Sequence, residues 1–99
     1  MHFDIEQQAG DDRIYVFIDG AAVFSNLMQL KQALAEVEKG KTIVFQLNDA
    51  YLLDHSTMEF FHDFENNYRL SGGRCEFEGL EYHEPFSDHH LAARKMKPI

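Results

Sequence analysis

The sequence predicts one small α/β domain spanning residues 1–99: a mixed, mostly parallel sheet with helices packed on it, in the order β-β-α-β-α-β-α. Three observations predict it. Two β-rich segments joined by Gly10-Asp11 open the chain, two helical patterns each stop at a glycine, and a further β-rich run follows each of them. Strands separated by a helix require a crossover, which is right-handed in nearly all proteins, so three strands are expected to be parallel. The first, tied by a hairpin, is expected to run antiparallel at or near an edge.

In chain order, "HFDIEQQ" and "RIYVFIDGAAVF" are the hairpin strands, since Gly10-Asp11 suits a turn. Residues 14–18 of the second are apolar almost throughout, which predicts a central strand covered on both faces. "SNLMQLKQALAEVEKG" places Leu27, Leu30, Leu34 and Val37 at helical spacing, with Ser25 or Asn26 as cap and Gly40 as stop. A helix of about four turns is expected. "KTIVFQLND" is a third strand, "STMEFFHDFENNYRLSGG" a second helix ending at Gly72-Gly73, and "RCEFEG" a strand near an edge. "EYHEPF" reads as a loop and "SDHHLAARKM" as a last short helix before Pro98.

The 99 residues carry 44% hydrophobic and 26% charged side chains with a net charge of −8, the balance of a globular domain with one modest core. A chain this acidic repels a phosphate backbone, so nucleic acid is not an expected partner. Arg94, Lys95 and Lys97 are better placed to complement the dipole of a last helix. No apolar run reaches the roughly 18 residues that span a bilayer, and the start has no signal-peptide pattern, so the chain itself is expected to be neither inserted nor exported. Cys75 stands alone and reads as an inert, buried thiol in a reducing compartment.

Chemistry-bearing patterns are sparse. There is no Gly-x-Ser-x-Gly elbow, phosphate loop or His-Glu-x-x-His helix, and the six histidines (His2, His55, His62, His83, His89, His90) lack the spacing of zinc modules. No enzyme activity, metal or cofactor is expected. The informative stretch is "YLLDHSTMEFF", where a strand-like pattern becomes helical within three residues. Ser56 followed by Glu59 is a capping box, with the serine accepting from the amide of residue 59 and the glutamate reaching back to that of residue 56. A helix start also favours an anion, including a phosphate esterified to Ser56, whereas Asp54 repels phosphate or holds a basic partner.

"LDHSTMEFF" resembles the segment after the third strand of STAS domains, where anti-sigma-factor antagonists carry Asp-Ser-Ser-Gly and the second serine is phosphorylated. Asp54 matches the Asp, His55 the first Ser and Ser56 the phosphorylated Ser, while Thr57 stands where Gly is usual. "DHSTMEFFHDFENNYRLSGG" and "GLEYHEPFSDHHLAARK" are more similar to the STAS domain that ends bacterial SulP-type anion permeases, over roughly residues 40–96. That resemblance implies a sheet of four or five elements, a place on the cytoplasmic face of the inner membrane, and a non-enzymatic regulatory role. The transmembrane permease domain, for sulfate or a related anion, is then expected in the same polypeptide, with this chain a part of it.

A helical wheel puts Thr57, Phe60, Phe61, Phe64 and Tyr68 on one face of the second helix, and Glu59, His62, Asp63, Asn66 and Arg69 on the other, with Met58 among the polar set. Met28 lies off the apolar stripe of the first helix. Both helices leave the carboxyl ends of parallel strands, where open α/β folds hold their ligands. Phe24, Met28, Asp54, His55, Ser56, Thr57, Met58 and His62 are therefore the candidate partner- or anion-binding residues, forming one adaptable patch around a modifiable hydroxyl. The leading expectation is a protein-interaction domain of a permease. The alternatives are a free-standing anti-sigma-factor antagonist switched at Ser56, and a sensor of a small anion or nucleotide.

Overall fold

The computed structural model describes residues 1–7, 10–80, 83–85 and 94–96. Strand β1 (His2–Glu6) pairs antiparallel with β2 (Arg13–Ala22), and β2 pairs parallel with β3 (Thr42–Leu53). Helix α1 (Met28–Ala35) joins β2 to β3, and α2 (His55–Leu70) joins β3 to β4 (Arg74–Glu78), which pairs parallel with β3. The β1-β2-β3-β4 order thus advances in one direction across the sheet. Right-handed crossovers that advance the same way deposit their helices on the same face. That is what the core records: Leu30 and Leu34 of α1 and Phe61 and Tyr68 of α2 join one buried cluster with Ile14, Val16, Ile18, Ile43 and Phe45 of the sheet.

Covering of β2 on both faces is not observed. Ile14, Val16 and Ile18 are buried under the helices, but Tyr15 and Phe17 point to the opposite face, where Phe17 remains 38% exposed. The apolar run reflects aromatics on an open sheet face, since among the described residues the helices lie on one side only. Val44 also points away from the helices, yet it is closed off by the residues beside it in register, Tyr15 and Glu76.

Helix α1 is half the expected length. Residues 24–26 form a 3-10 turn, in which Asn26 Oδ1 accepts the Val23 amide at 3.0 Å and its Nδ2 donates to the Ala21 carbonyl at 3.0 Å. The α-helix begins only at Met28 and ends at Ala35. Leu27, Leu30 and Leu34 are buried as the spacing requires, each worth about 1.5–3 kcal/mol on full burial. Their stripe is therefore continuous across two kinds of helix.

Strand β3 runs four residues further than the sequence pattern suggested. Its register against β2 slips twice, between Phe17 and Asp19 and between Gly20 and Ala21, and Asn48 and Asp49 are exposed in succession as bulged residues are. Past the reach of β4, Leu52 and Leu53 pair antiparallel with Lys95 and Arg94 of a strand β6 (Arg94–Met96), which pairs in turn with β5 (His83–Pro85). Residues 83–85 are a strand within the expected loop, and 94–96 are a strand where a helix end was expected, because the extended β3 offers an edge that the chain's tail satisfies. Arg94 and Lys95 accordingly belong to a strand, not to the last turn of a helix. Residues 86–93 and 97–99 lie outside the described residues.

Candidate functional site

Helix α2 starts at His55, and Asp54 rather than Ser56 is its cap. The Asp54 backbone is extended, Oδ1 accepts the Thr57 amide at 2.8 Å, and Oδ2 accepts the Phe24 amide at 2.8 Å. One carboxylate therefore closes two helix starts, that of α2 and that of the 3-10 turn after β2. Asp and Ser are about equally good caps, and the Glu59 spacing favoured the serine. The strand decides otherwise: because β3 continues to Leu53 and Asp54 is still extended, the helix begins at His55 and Ser56 already lies inside it. Glu59 reaches no amide of residue 56, and its Oε2 lies 3.7 Å from His55 Nε2.

Thr57 is wholly buried. Its Oγ1 lies 2.7 Å from both the Ala22 carbonyl and Asp54 Oδ1, so its single proton serves one of them at a time. The Asp54 amide donates to the same Ala22 carbonyl at 3.2 Å. Burial pushes the Asp54 carboxyl up. The Phe24 amide, the Thr57 hydroxyl and amide, and the neighbouring His55 outweigh it and hold the carboxyl below its ordinary value of 3.8. This is a fixed joint between the ends of β2 and β3.

Around that joint the structure divides the expected patch. Phe24 and Met28 are 69% and 66% exposed, and Met28 lines a shallow depression with Met1, Ser25, Asn26 and Gln29 on the β1 side. Met58 borders the polar face, beside His62 and Glu65, with its other side turned to the core. It packs against the core cluster and lines a crevice of about 150 Å³ on the β4 side with Leu47, Phe61, His62, Phe77 and Leu80. Helix α2 lies between the two. Phe24 is brought to Asp54, and His62 to Met58, while Met28 and Met58 line separate depressions.

Ser56 occupies the first turn of α2, partly exposed, and among the described residues nothing hydrogen-bonds to its hydroxyl. Freed from capping, it is available chemically. His55 is exposed beside it, and His62 Nε2 lies 3.3 Å from the Asn66 amide nitrogen. Among the described residues no group of three or more His, Cys, Asp or Glu side chains is arranged to hold a metal, and no helix is long and apolar enough to cross a membrane. The Phe24–Asp54 contact was not anticipated from sequence, because its partners are 30 residues apart and one of them is a backbone amide.

No protein-family model and no curated protein matches the chain. A solved structure, described as a crystal structure analysis of Mglu, is similar to it with a TM-score of 0.66 and 21% identity, over 76% of this chain and 19% of that one. The matched part of the chain thus spans about a fifth of the length of that protein. At this identity the likeness shows the fold alone: a small α/β domain with a mixed sheet.

Proposed function

We propose that the chain is a non-enzymatic, STAS-like regulatory domain that binds a protein partner at the carboxyl end of β2 and β3. The observation that carries this reading is the exposure of Phe24 and Met28 beside a joint that fixes their backbone. Two large apolar side chains, each about two-thirds exposed, are held on a rigid turn by the Asp54–Phe24 hydrogen bond and by Asn26. Exposed apolar groups on a backbone that is already ordered are suited to a protein interface. The resemblance of residues 40–96 to the STAS domain of SulP-type permeases supplies the setting: a cytoplasmic regulatory module of a longer membrane transporter for sulfate or a related anion.

Photocrosslinking in the intact parent protein tests it. A photoreactive phenylalanine analogue at position 24 or 28 is expected to trap a defined protein product, whereas the same group at Leu70, which is 85% exposed on the far end of α2, is not. Indistinguishable products from all three positions, or none, reject the reading.

A switch at Ser56 is the second reading, favoured by a hydroxyl that caps nothing. Phosphate there gains from the amides and dipole of the first turn but faces the Asp54 carboxylate. Modification then loosens the joint that holds Phe24. Ser56→Glu is expected to weaken capture through positions 24 and 28 while Ser56→Ala leaves it intact; equal capture by both variants rejects the switch. A free anion at the start of α2 is the less favoured arrangement, since Asp54 already accepts the Thr57 amide.

A further inference from the structure

The sheet face opposite the helices carries an acidic, aromatic recess that shares no lining residue with the depression beside Met28. Tyr15 and Phe17 of β2 stack there with ring centroids 6.2 Å apart. Phe17 forms a wall common to two depressions, one lined by His2, Asp4, Asp19, Gln46 and Asp49 and the other by Glu6, Asp11 and Tyr15. The first measures about 180 Å³. Within it Asp19 and Asp49 are directly opposite each other on adjacent parallel strands. Like charges in that position destabilise a sheet. The β3 bulge creates the arrangement, because without the slip after Gln46 Asp49 does not fall in register with Asp19.

Among the described residues no lysine or arginine pairs with Asp19 or Asp49, and Lys95 stands on the same face further along β3, opposite Leu52. This face also carries the ion pairs of His2 with Asp4 at 3.2 Å, in which the imidazole is a cation only when protonated, and of Arg13 with Glu76 at 3.2 Å. Arg13 and Arg74 stand at the amino ends of their strands, both in register with Thr42, while the paired aspartates are towards the carboxyl ends. The carboxylates are not grouped to hold a metal ion. A guanidinium group suits them better, because its planar fork of five donors spans separated carboxylates while its flat face stacks on an aromatic ring.

We propose that this open sheet face docks a basic protein segment by seating an arginine side chain against Phe17, between Asp4 and the Asp19–Asp49 pair. The complementarity of charge names the occupant's chemistry, and the exposed ring names arginine over lysine. The segment's apolar side chains then lie along Tyr15 and Phe17. The site is independent of the proposed rim at the carboxyl end, so either can fail without the other.

The test is a titration of the isotopically labelled 99-residue chain with the blocked peptide Gly-Leu-Arg-Leu-Arg-Gly, followed by amide resonances at low salt. Shifts are expected at residues 2–4, 15–19 and 46–49, with weaker binding by the lysine peptide and none by the citrulline peptide, which keeps arginine's shape without its charge. Asp19→Asn with Asp49→Asn is expected to weaken binding at least ten-fold and to raise the thermal midpoint by removing the like-charge contact. Glu59→Gln with Asp63→Asn, which removes as much charge from the exposed side of α2, should change affinity less than two-fold. Phe17→Leu separates ring from bulk and should cost several-fold in affinity. Shifts located elsewhere, undiminished binding by citrulline or by the double aspartate variant, or self-association of the chain through residues 15–19 would each overturn the proposal. So would perturbation of the same amides by magnesium or manganese alone.

Discussion

The carboxylate of Asp54 and the backbone amide of Phe24 meet at 2.8 Å, tying the turn after β2 to the first turn of α2. The other carboxylate oxygen caps α2 through Thr57, so one side chain fixes the relative position of two neighbouring crossovers. The candidate interaction rim rests on that joint.

Asp54→Ala removes the cap and leaves the Phe24 amide without its acceptor, and is expected to cost about 2 kcal/mol, whereas Ser56→Ala should cost less than about 0.5 kcal/mol. Urea denaturation of both variants measures the difference. Reversal of the order restores Ser56 as the cap.

Acid should act through the same residue. The native Asp54 carboxyl holds its proton less readily than the unfolded one, so its contribution to stability is complete above the ordinary value of 3.8 and drains away as the pH falls through the lower native value. Asp54→Asn should lack this component. The stability gap between wild type and variant is expected to be constant from pH 5 to 7 and to shrink below pH 4; a gap that widens in acid contradicts the assignment.

Cys75 faces the helices, beside Ile43 in register, and burial together with the nearby Glu65 carboxylate pushes its thiol up to about 12. At pH 8 the folded protein then holds roughly a thousand-fold less thiolate than an unperturbed cysteine would. Iodoacetamide should label it very slowly in buffer and readily in urea. Comparable rates in the two conditions would show an accessible, ordinary thiol.

Tyr68 pins the end of α2 to the loop before β3. Its hydroxyl donates to the Glu38 carbonyl at 2.6 Å and accepts the Lys41 amide at 3.1 Å, and a methyl group on Gly73 would collide with its ring. Tyr68→Phe, which strands both backbone groups, and Gly73→Ala, which displaces the ring, should each cost about 1–3 kcal/mol in chemical denaturation. A loss for Gly73→Ala alone would mean that water replaces the hydroxyl.

Local pattern carried much of this fold. The hairpin at Gly10-Asp11, the parallel crossovers and the core faces of both helices follow from periodicity and turn chemistry, because burial of Leu27, Leu30, Leu34, Phe61 and Tyr68 is a property of spacing along a helix. The apolar run at 14–18 was misleading, since a strand's own residues do not record whether anything covers its second face. Only the handedness and order of the crossovers, which put both helices on one side, left Phe17 in the open.

The sequence by itself determined an acidic α/β domain with a polar junction at residues 54–57, because composition and periodicity act over a few neighbouring residues. Which member of that junction caps the helix, which face holds Met58, and how Asp19 comes to oppose Asp49 were decided by tertiary structure alone. Each depends on the length and bulges of β3 and on contacts between residues some 30 positions apart, and these are settled when the strands pair, not when the local chain chooses its conformation.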